Sequence, residues 1–478
     1  MEADPLSQSK PLRPAAGSVR FAVSAALALL AGGLLRAWMF QQYFEVNGDS
    51  LLYGGIAKNL LEHGRYALTV NGLATSTLIR LPGYPLFLAA CFRLFGMENY
   101  AAAAWLQIPL ELAGCLLLAS FVRRIAPPSF KAAAAYGALW LAALCPFTAV
   151  YAAMPLTEAP TLFVLAVALW AVARFQDEPG WLPAVSFTFA VTCAALLRPD
   201  GALATVALAP ALGLRLMKAR AESAAEGARL ARMAAVCVLL ALAPFAAWTW
   251  RNWQVFHVFQ PLAPRYANDP GEDAHPGWQR WMRTWCLDYV STYEVYWPVP
   301  GDRLDVSKLP GRAFDSPGEY GETAALADDY NRNGFVLTPQ IDAGFARLAQ
   351  ERVSIHPLRY YLWLPLGRVA DMWLRPRVEN LNIDLDWWVY EHHNDETRFS
   401  WEYAGLNALY LLLGLAGLWL RPRLWPWMLA YMLLRSALLA TIEGPEARYT
   451  LECFPMLFAL GGVALAGAAS KAAALWGK

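Results

Sequence analysis

Long apolar stretches alternate with short polar ones along this 478-residue chain. About 17–25 consecutive apolar residues are enough to cross the hydrocarbon core of a bilayer as a helix. Ten stretches approach that length, and they predict an all-α polytopic membrane protein with about ten transmembrane helices. The ten stretches are residues 19–40, 100–122, 132–150, 155–175, 181–197, 202–216, 233–250, 406–420, 424–442 and 454–469.

Basic residues in the polar connections predict the orientation of the chain. They cluster in alternate connections, as at Arg123 and Arg124 after the second stretch and at Arg421 and Arg423 after the eighth. Cytoplasmic loops of membrane proteins hold an excess of Lys and Arg, so both termini are predicted to be cytoplasmic.

Composition agrees with a membrane protein and narrows its function. Hydrophobic residues make up 57% of the chain and charged residues 16%, whereas soluble domains have about 25% charged residues. The net charge of +1 gives no sign of nucleic-acid binding, and no Gly-rich loop indicates a site for ATP or a nucleotide sugar. Seven cysteines without paired spacing predict neither a disulfide framework nor a metal site.

The pattern divides the chain into three parts. Residues 1–250 form an amino-terminal membrane module whose first outer loop is 41–99. Residues 251–401 form a large outer segment of mixed helix and loop, and residues 402–478 form carboxyl-terminal membrane helices. Within the outer segment, residues 356–375 mix apolar and charged side chains, which predicts an amphipathic helix at the membrane interface.

The first outer loop contains two short helical patterns bounded by turn residues. Residues 49–62 fit a short helix that begins at Asp49 and ends at Gly64. Asp49 either caps this helix or provides a carboxylate just outside the membrane. Pro82 and Pro85 flank a tight turn that begins a second short apolar helix.

These loop residues, together with three motifs further along the chain, resemble the GT-C glycosyltransferases. The resemblance is nearest to the bacterial members of the protein mannosyltransferase and aminoarabinose transferase group. It covers most of the membrane portion on both sides of the outer segment. The motifs are Asp49 and Tyr53 with Ala-Lys-Asn-Leu-Leu at 57–61 and Gly-Arg-Tyr at 64–66, Arg-Leu-Pro-Gly-Tyr-Pro-Leu-Phe-Leu at 80–88, Met-Pro-Leu-Thr-Glu-Ala-Pro at 154–160, Leu-Arg-Pro-Asp-Gly at 197–201, and Ala-Arg-Tyr at 447–449.

The resemblance implies an enzyme that transfers a hexose or pentose from a polyprenyl-phosphate donor, undecaprenyl phosphate in bacteria. Transfer would occur with inversion on the periplasmic face of the bacterial inner membrane, to a glycan, lipid or protein acceptor. The family pattern makes Asp49 the general base, supported by Glu158. Basic side chains or a divalent metal ion would meet the departing phosphate, and no other cofactor is implied. The candidates for phosphate contact are Arg80, Arg448, Arg251 and Lys58, and those for substrate contact are Tyr53, Tyr84, Arg198 and Asp200.

Several of these residues also have a purely structural interpretation. Glu158 fits the start of a helix as an acidic cap. Arg198 and Asp200 fit a local ion pair, and Arg448 fits an interfacial anchor. An aromatic run at 278–297 either lies at the membrane interface or stacks on sugar rings.

Charged residues inside the apolar stretches need partners of their own. Glu111 and Arg435 fall midway along the second and ninth stretches, and we expect them to pair across the bundle, because an isolated charge there costs at least ~2.5 kcal/mol. His356, His392 and His393 offer metal ligands without a clear third member, so they also fit ordinary surface or core positions.

Two other functions compete with the transferase. A transporter or flippase of a lipid-linked substrate predicts broken helices in matched halves, and the sequence has no such symmetry. A non-catalytic scaffold would keep the spans and turns but has no need of Asp49, Glu158 and Arg448 together.

Overall fold

The computed structural model describes residues 16–385 and 394–476 and confirms an all-α polytopic membrane fold. Each of the ten apolar stretches is helical over most of its length. The helices before the outer segment are α1 (Ala16–Tyr43), α2 (Gly48–His63), α3 (Gly83–Phe95), α4 (Tyr100–Ile125), α5 (Lys131–Ala143), α6 (Pro146–Ala152), α7 (Glu158–Asp177), α8 (Trp181–Leu197), α9 (Leu203–Glu222) and α10 (Ala224–Phe256).

The outer segment is mixed helix and loop, and three further helices follow it. Its helices are α11 (Pro276–Arg283), the single turn α12 (Tyr289–Ser291), α13 (Pro317–Arg332), α14 (Pro339–Ile355) and α15 (Leu364–Leu374). The carboxyl-terminal helices are α16 (Asn394–Trp419), α17 (Trp425–Leu439) and α18 (Phe454–Trp476).

Six helical segments of the described chain are long and apolar enough to cross a membrane. The pair α5 and α6 adds a seventh if it acts as one span, bent by 52° where Pro146 interrupts the helix. At 1.5 Å per residue, the 17 residues of α8 and the 15 of α17 are shorter than the ~30 Å hydrocarbon core. The 26-residue helix α16 is also not among the six, so the count from length and composition is lower than the predicted ten.

Close helix packing at the centre of the bundle uses small residues. Helix α18 packs against α5 and α16, and α4 packs against α5 and α7. A Cβ at Gly462 on α18 would lie 2.5 Å from the carbonyl oxygen of Ala134 on α5, so only glycine permits this approach. Apolar side chains such as Leu34 and Leu239 remain more than 60% exposed, as expected for a surface in contact with lipid.

A two-stranded hairpin in the first outer loop was not predicted. Strands β1 (Ala67–Val70) and β2 (Leu73–Ser76) pair antiparallel. Asn71 and Gly72 join them, both with positive φ, as the tight turns that match the twist of a hairpin require. The Asn-Gly pair between apolar residues was the signal for it.

The outer segment has its own hydrophobic core, built on three tryptophans. Trp278, Trp281 and Trp285 are each at most 1% exposed and pack with Phe345 of α14. Trp278 and Trp281 lie three residues apart on α11, and Trp285 follows in the turn after this helix and packs on Trp281. The expectation that these rings meet lipid headgroups or sugars is therefore wrong, because they stabilise the core of the segment.

Two charges inside the bundle have partners other than those predicted. Glu111 on α4 accepts two hydrogen bonds of 2.9 Å from Arg36 on α1. Arg435 on α17 instead lies 2.9 Å from Asp200 and 2.6 Å from Glu452. The predicted Glu111–Arg435 pair is wrong because α4 packs against α1, α5 and α7, whereas α17 packs against α9.

The predicted amphipathic helix at 356–375 is helical, beginning with a π-helical turn at Arg359–Trp363 that continues into α15. Its outer face is apolar: Trp363 is 63% exposed and Leu366 53%. Arg368 points inward and donates to backbone carbonyls of residues 283 and 286. An exposed apolar face fits a lipid boundary, and contact with the interface stays a prediction.

Candidate active site

Asp49 lies in the first turn of α2, where the helix cap is Asn47 instead. Its Oδ1 accepts a hydrogen bond of 2.7 Å from Arg80, and its Oδ2 accepts one of 3.2 Å from Arg448. The capping role considered for Asp49 is therefore wrong. The motifs at 80–88 and 447–449, far apart in sequence, place one guanidinium on each carboxylate oxygen.

The two arginines keep this carboxylate ionised. Burial on its own would raise the pKa of Asp49, but the positive charges of Arg448 and Arg80 outweigh it and hold the pKa below its ordinary value. A carboxylate in this state is a strong partner for cations and a weak base until its arginines are drawn away.

A buried chain of alternating charges continues from Arg448 into the bundle. Glu158, the first residue of α7, lies 3.9 Å from Arg448 and accepts a hydrogen bond of 3.0 Å from Arg198. Arg198 also lies 3.3 Å from Asp200 and 3.0 Å from Glu452. The predicted local pair of Arg198 and Asp200 exists, but within a network that ties three separate motifs together.

A cavity of about 640 Å³ collects seven of the ten candidate residues. Its polar lining includes Asp49, Tyr53, Arg80, Glu158, Arg198, Asp200 and Arg448, together with Arg265, Tyr296 and Glu443. Its apolar lining includes Leu203 and Val206 of α9, Leu438 and Leu439 of α17, and Ile442 just beyond α17. We call this space the apolar-walled cavity.

A second cavity of about 890 Å³ is also lined by Asp49. Its remaining walls are polar and aromatic and come mainly from the outer segment: Glu45, Tyr289, Tyr293, Trp297, Glu379, Asn380 and Asn382. We call this space the polar cavity. The two cavities share Asp49, Arg80, Leu156, Arg448 and Tyr449, so the carboxylate and its two arginines form the boundary between them.

Three candidates do not reach either cavity. Tyr84 is fully buried behind Tyr53 and donates a hydrogen bond of 2.8 Å to Gln107. Arg251 donates hydrogen bonds of 2.7 Å to two backbone carbonyls of the first outer loop, those of residues 66 and 77. Lys58 pairs at 2.8 Å with Glu98 on the surface. The structure thus places Tyr84, Arg251 and Lys58 in contacts outside both cavities, and their predicted contacts with substrate or phosphate stay predictions.

The sequence analysis did not include Glu446, which pairs with Arg448, among the site residues. Glu446 lies 2.5 Å from Nε of Arg448 and accepts a hydrogen bond from the hydroxyl of Tyr449. Burial raises the pKa of Glu446, although Arg448 opposes this shift. Its position two residues before Arg448 was the only signal in the sequence.

Metal ligands do not gather in the described residues, which hold no group of three or more His, Cys, Asp or Glu placed to bind an ion. His356 lies exposed at the carboxyl end of α14. His392 and His393 lie outside the described residues.

Comparisons with known proteins gave matches only among solved structures. No family model matches the chain, and no curated protein matches it. The archaeal oligosaccharyltransferase AglB from Archaeoglobus fulgidus, in complex with an inhibitory peptide and a dolichol-phosphate, matches with a TM-score of 0.51 at 11% identity. That match covers 96% of this chain and 51% of AglB, so the chain spans about half the length of that protein.

ArnT from Cupriavidus metallidurans matches in two states at lower scores. The apo structure gives a TM-score of 0.38 at 16% identity, covering 95% of this chain and 77% of ArnT. The structure bound to undecaprenyl phosphate gives 0.39 at 15% identity, covering 96% and 80%. The likeness to AglB extends over nearly the whole of this chain and shows that the two chains share a fold.

Proposed function

We propose that this chain is a membrane glycosyltransferase that moves a sugar from a polyprenyl-phosphate donor to an acceptor. The observation that carries the proposal is the position of Asp49, with Arg80 and Arg448, at the boundary of the two cavities. One cavity has an apolar wall suited to an isoprenoid chain, and the other has polar walls suited to a sugar.

The two arginines are suited to hold the phosphate of such a donor. Guanidinium groups bind phosphate oxygens through charge-assisted hydrogen bonds. Arg80 and Arg448 line both cavities, so the headgroup of a lipid in the apolar-walled cavity would meet them at the shared boundary. AglB, whose fold this chain shares, was solved with a dolichol-phosphate, and this favours a polyprenyl phosphate as the ligand.

The reaction is a single displacement at the anomeric carbon of the donor sugar. An acceptor oxygen in the polar cavity forms a bond to that carbon while the bond from the carbon to the phosphate oxygen breaks. The acceptor proton passes to a carboxylate oxygen of Asp49, and the lipid phosphate leaves with one more negative charge. Attack opposite the leaving group inverts the anomeric configuration, and Arg80 and Arg448 stabilise the departing phosphate.

Donor binding also activates the base. Without a donor, both oxygens of Asp49 are occupied by guanidinium groups, which weakens its basicity. A phosphate between the arginines competes for those same groups, so it frees a carboxylate oxygen and raises its proton affinity. Glu158 and Glu446 keep Arg448 in place during this exchange. This order of events makes the acceptor proton transferable only after the donor has bound.

The proposed setting is the inner membrane of a bacterium, with the site on the periplasmic face and both termini in the cytoplasm. The alternation of basic connections supports this orientation. Donor and acceptor would meet outside the hydrocarbon core, where Asp49 can remain ionised.

Binding of undecaprenyl phosphate by purified protein in nanodiscs tests the donor assignment. We expect Arg80→Gln and Arg448→Gln to weaken binding about tenfold or more, since a hydrogen bond to a charged group contributes about 1.5–3 kcal/mol. Arg332→Gln is the matched control, because Arg332 is 73% exposed on the outer segment. Equal affinity in all three variants would contradict the proposal. Movement of the lipid between leaflets of liposomes, with no turnover of a sugar donor, would favour the flippase alternative.

A further inference from the structure

A row of three aromatic residues lines the polar cavity. Tyr289, Tyr293 and Trp297 follow one another at intervals of four residues across a π-helical turn at Thr292–Tyr296. Their ring centroids lie 5.7 to 6.2 Å apart, so the three rings form a continuous patch. Within this patch Tyr289 is buried, whereas Tyr293 is 53% exposed and Trp297 is 44% exposed.

This exposure separates the row from the other aromatic residues of the run. The tryptophans at 278, 281 and 285 are buried in the core of the outer segment. Tyr293 and Trp297 lie in the same run but form part of a cavity wall. The fold thus leaves two large ring surfaces open at a position where packing does not require them.

Polar groups with free bonding capacity lie in the same cavity. One carboxylate oxygen of Glu379 is buried and lacks a hydrogen-bond partner within the described residues. Burial raises the pKa of Glu379 above its ordinary value, and the charge of Arg377 opposes that shift. The amides of Asn380 and Asn382 also line the cavity, and each amide provides both donors and an acceptor. An unpartnered buried oxygen is uncommon and indicates a ligand group that completes it.

Ring faces combined with carboxylate and amide groups match the surface of a saccharide. A sugar ring has an apolar face of C–H groups, which packs on an aromatic ring, and an edge of hydroxyls, which both donate and accept hydrogen bonds. A peptide added as a strand to a sheet edge needs a row of regularly spaced backbone partners, whereas the groups considered in this cavity are separate aromatic, carboxylate and amide side chains. The volume of about 890 Å³ is near the upper end of small-molecule sites, so more than one sugar ring has room.

We propose that the polar cavity is a saccharide-binding site that holds a glycan acceptor, with a sugar ring on Tyr293 and Trp297 and hydroxyls on Glu379 and Asn380. The word acceptor rests on the proposed transferase function, whereas saccharide binding does not. The shared boundary at Asp49 then lets an acceptor hydroxyl in this cavity meet the base. The acceptor class is thereby a glycan, free or lipid-linked, and not a peptide.

Binding of free disaccharides to the full-length protein in nanodiscs tests this site without any need for turnover. The probes are cellobiose, chitobiose and mannobiose. Their binding is measured by saturation-transfer NMR in the presence of undecaprenyl phosphate. We expect at least one disaccharide to bind, and Tyr293→Ala and Trp297→Ala each to weaken it about three- to tenfold. Tyr361→Ala and Trp363→Ala are the controls, because those rings are 67% and 63% exposed outside both cavities.

A conservative variant protects the test from misfolding. Glu379→Gln keeps the side-chain shape and is expected to weaken disaccharide binding while leaving undecaprenyl phosphate affinity unchanged. The inference is overturned if no disaccharide binds, or if the site variants bind a disaccharide as tightly as the control variants do. It is also overturned if a peptide, and no disaccharide, binds in a manner that depends on Trp297. If a disaccharide binds and undecaprenyl phosphate does not, the saccharide site is supported and the proposed donor is contradicted.

Discussion

The ion pair of Arg36 and Glu111 lies inside the helix bundle, with side chains 0% and 6% exposed. Two hydrogen bonds of 2.9 Å join the groups, and Arg36 also donates at 2.8 Å to the carbonyl oxygen of Ala143, at the end of α5. Removing one charge of such a buried pair costs about 3–5 kcal/mol, because the other charge stays in a medium of low dielectric constant.

Each single substitution leaves one buried charge without its partner. Glu111→Gln leaves the guanidinium of Arg36 and Arg36→Met leaves the carboxylate of Glu111, so a cost of about 3–5 kcal/mol is expected for each. The double variant Arg36→Met/Glu111→Leu removes both charges and should lie within about 2 kcal/mol of the wild type, the residual coming from the unpaired carbonyl of Ala143.

Unfolding by SDS titration in mixed micelles measures all three free energies. The matched control is Arg398→Met, at a side chain that is 78% exposed. If the double variant were as unstable as the sum of the single variants, the pairing would contribute nothing and the reasoning would be refuted.

Three further predictions follow from other contacts. Trp281→Ala should destabilise the outer segment by about 3–5 kcal/mol. Amide hydrogen exchange should become faster in the outer segment and stay unchanged in α4 and α7. An equal increase of the exchange rate in both parts would contradict a separate core. Gly462→Leu should lower the yield of monodisperse protein, because a side chain there meets the carbonyl of Ala134, whereas Gly213→Leu, which faces open space, should be tolerated. The depressed pKa of Asp49 means that its stabilising contribution is present above the ordinary Asp pKa of about 3.9 and is lost as the pH falls through the lower folded value. The difference in thermal midpoint between wild type and Asp49→Asn should therefore be constant from pH 8 to 5, and a loss already at pH 6 would argue against the double ion pair.

Helix positions followed from the hydropathy pattern, but the partners of buried charges did not. Depth in the membrane can be estimated from position within an apolar stretch, as for Glu111 and Arg435. Which helix a side chain faces depends on the rotation of its helix about the helix axis and on which helices are neighbours. Neither can be determined from one apolar stretch. The position of Arg36 within the first stretch is visible in the sequence, but its pairing with Glu111 is not.

The candidate site was predictable where motifs supply its residues and unpredictable where the outer segment does. Asp49, Arg80 and Arg448 come from three motifs, and the fold brings the two guanidinium groups within 2.7 and 3.2 Å of the Asp49 carboxylate. The aromatic run has a similar three- to four-residue spacing in its first and second halves. Spacing alone therefore did not distinguish Trp281, buried in a core, from Trp297, which lines a cavity.

Turnover of polyprenyl-phosphate sugars by purified protein in nanodiscs tests the central claim most directly. A panel of radiolabelled donors would be compared between wild type and Asp49→Asn, with Asp329→Asn as a control at an exposed position. We predict that one donor loses its sugar with wild type and the control, and that Asp49→Asn slows this at least about 100-fold while still binding undecaprenyl phosphate. Equal turnover by wild type and Asp49→Asn would contradict the account and shift the base to another carboxylate, with Glu158 the first to test.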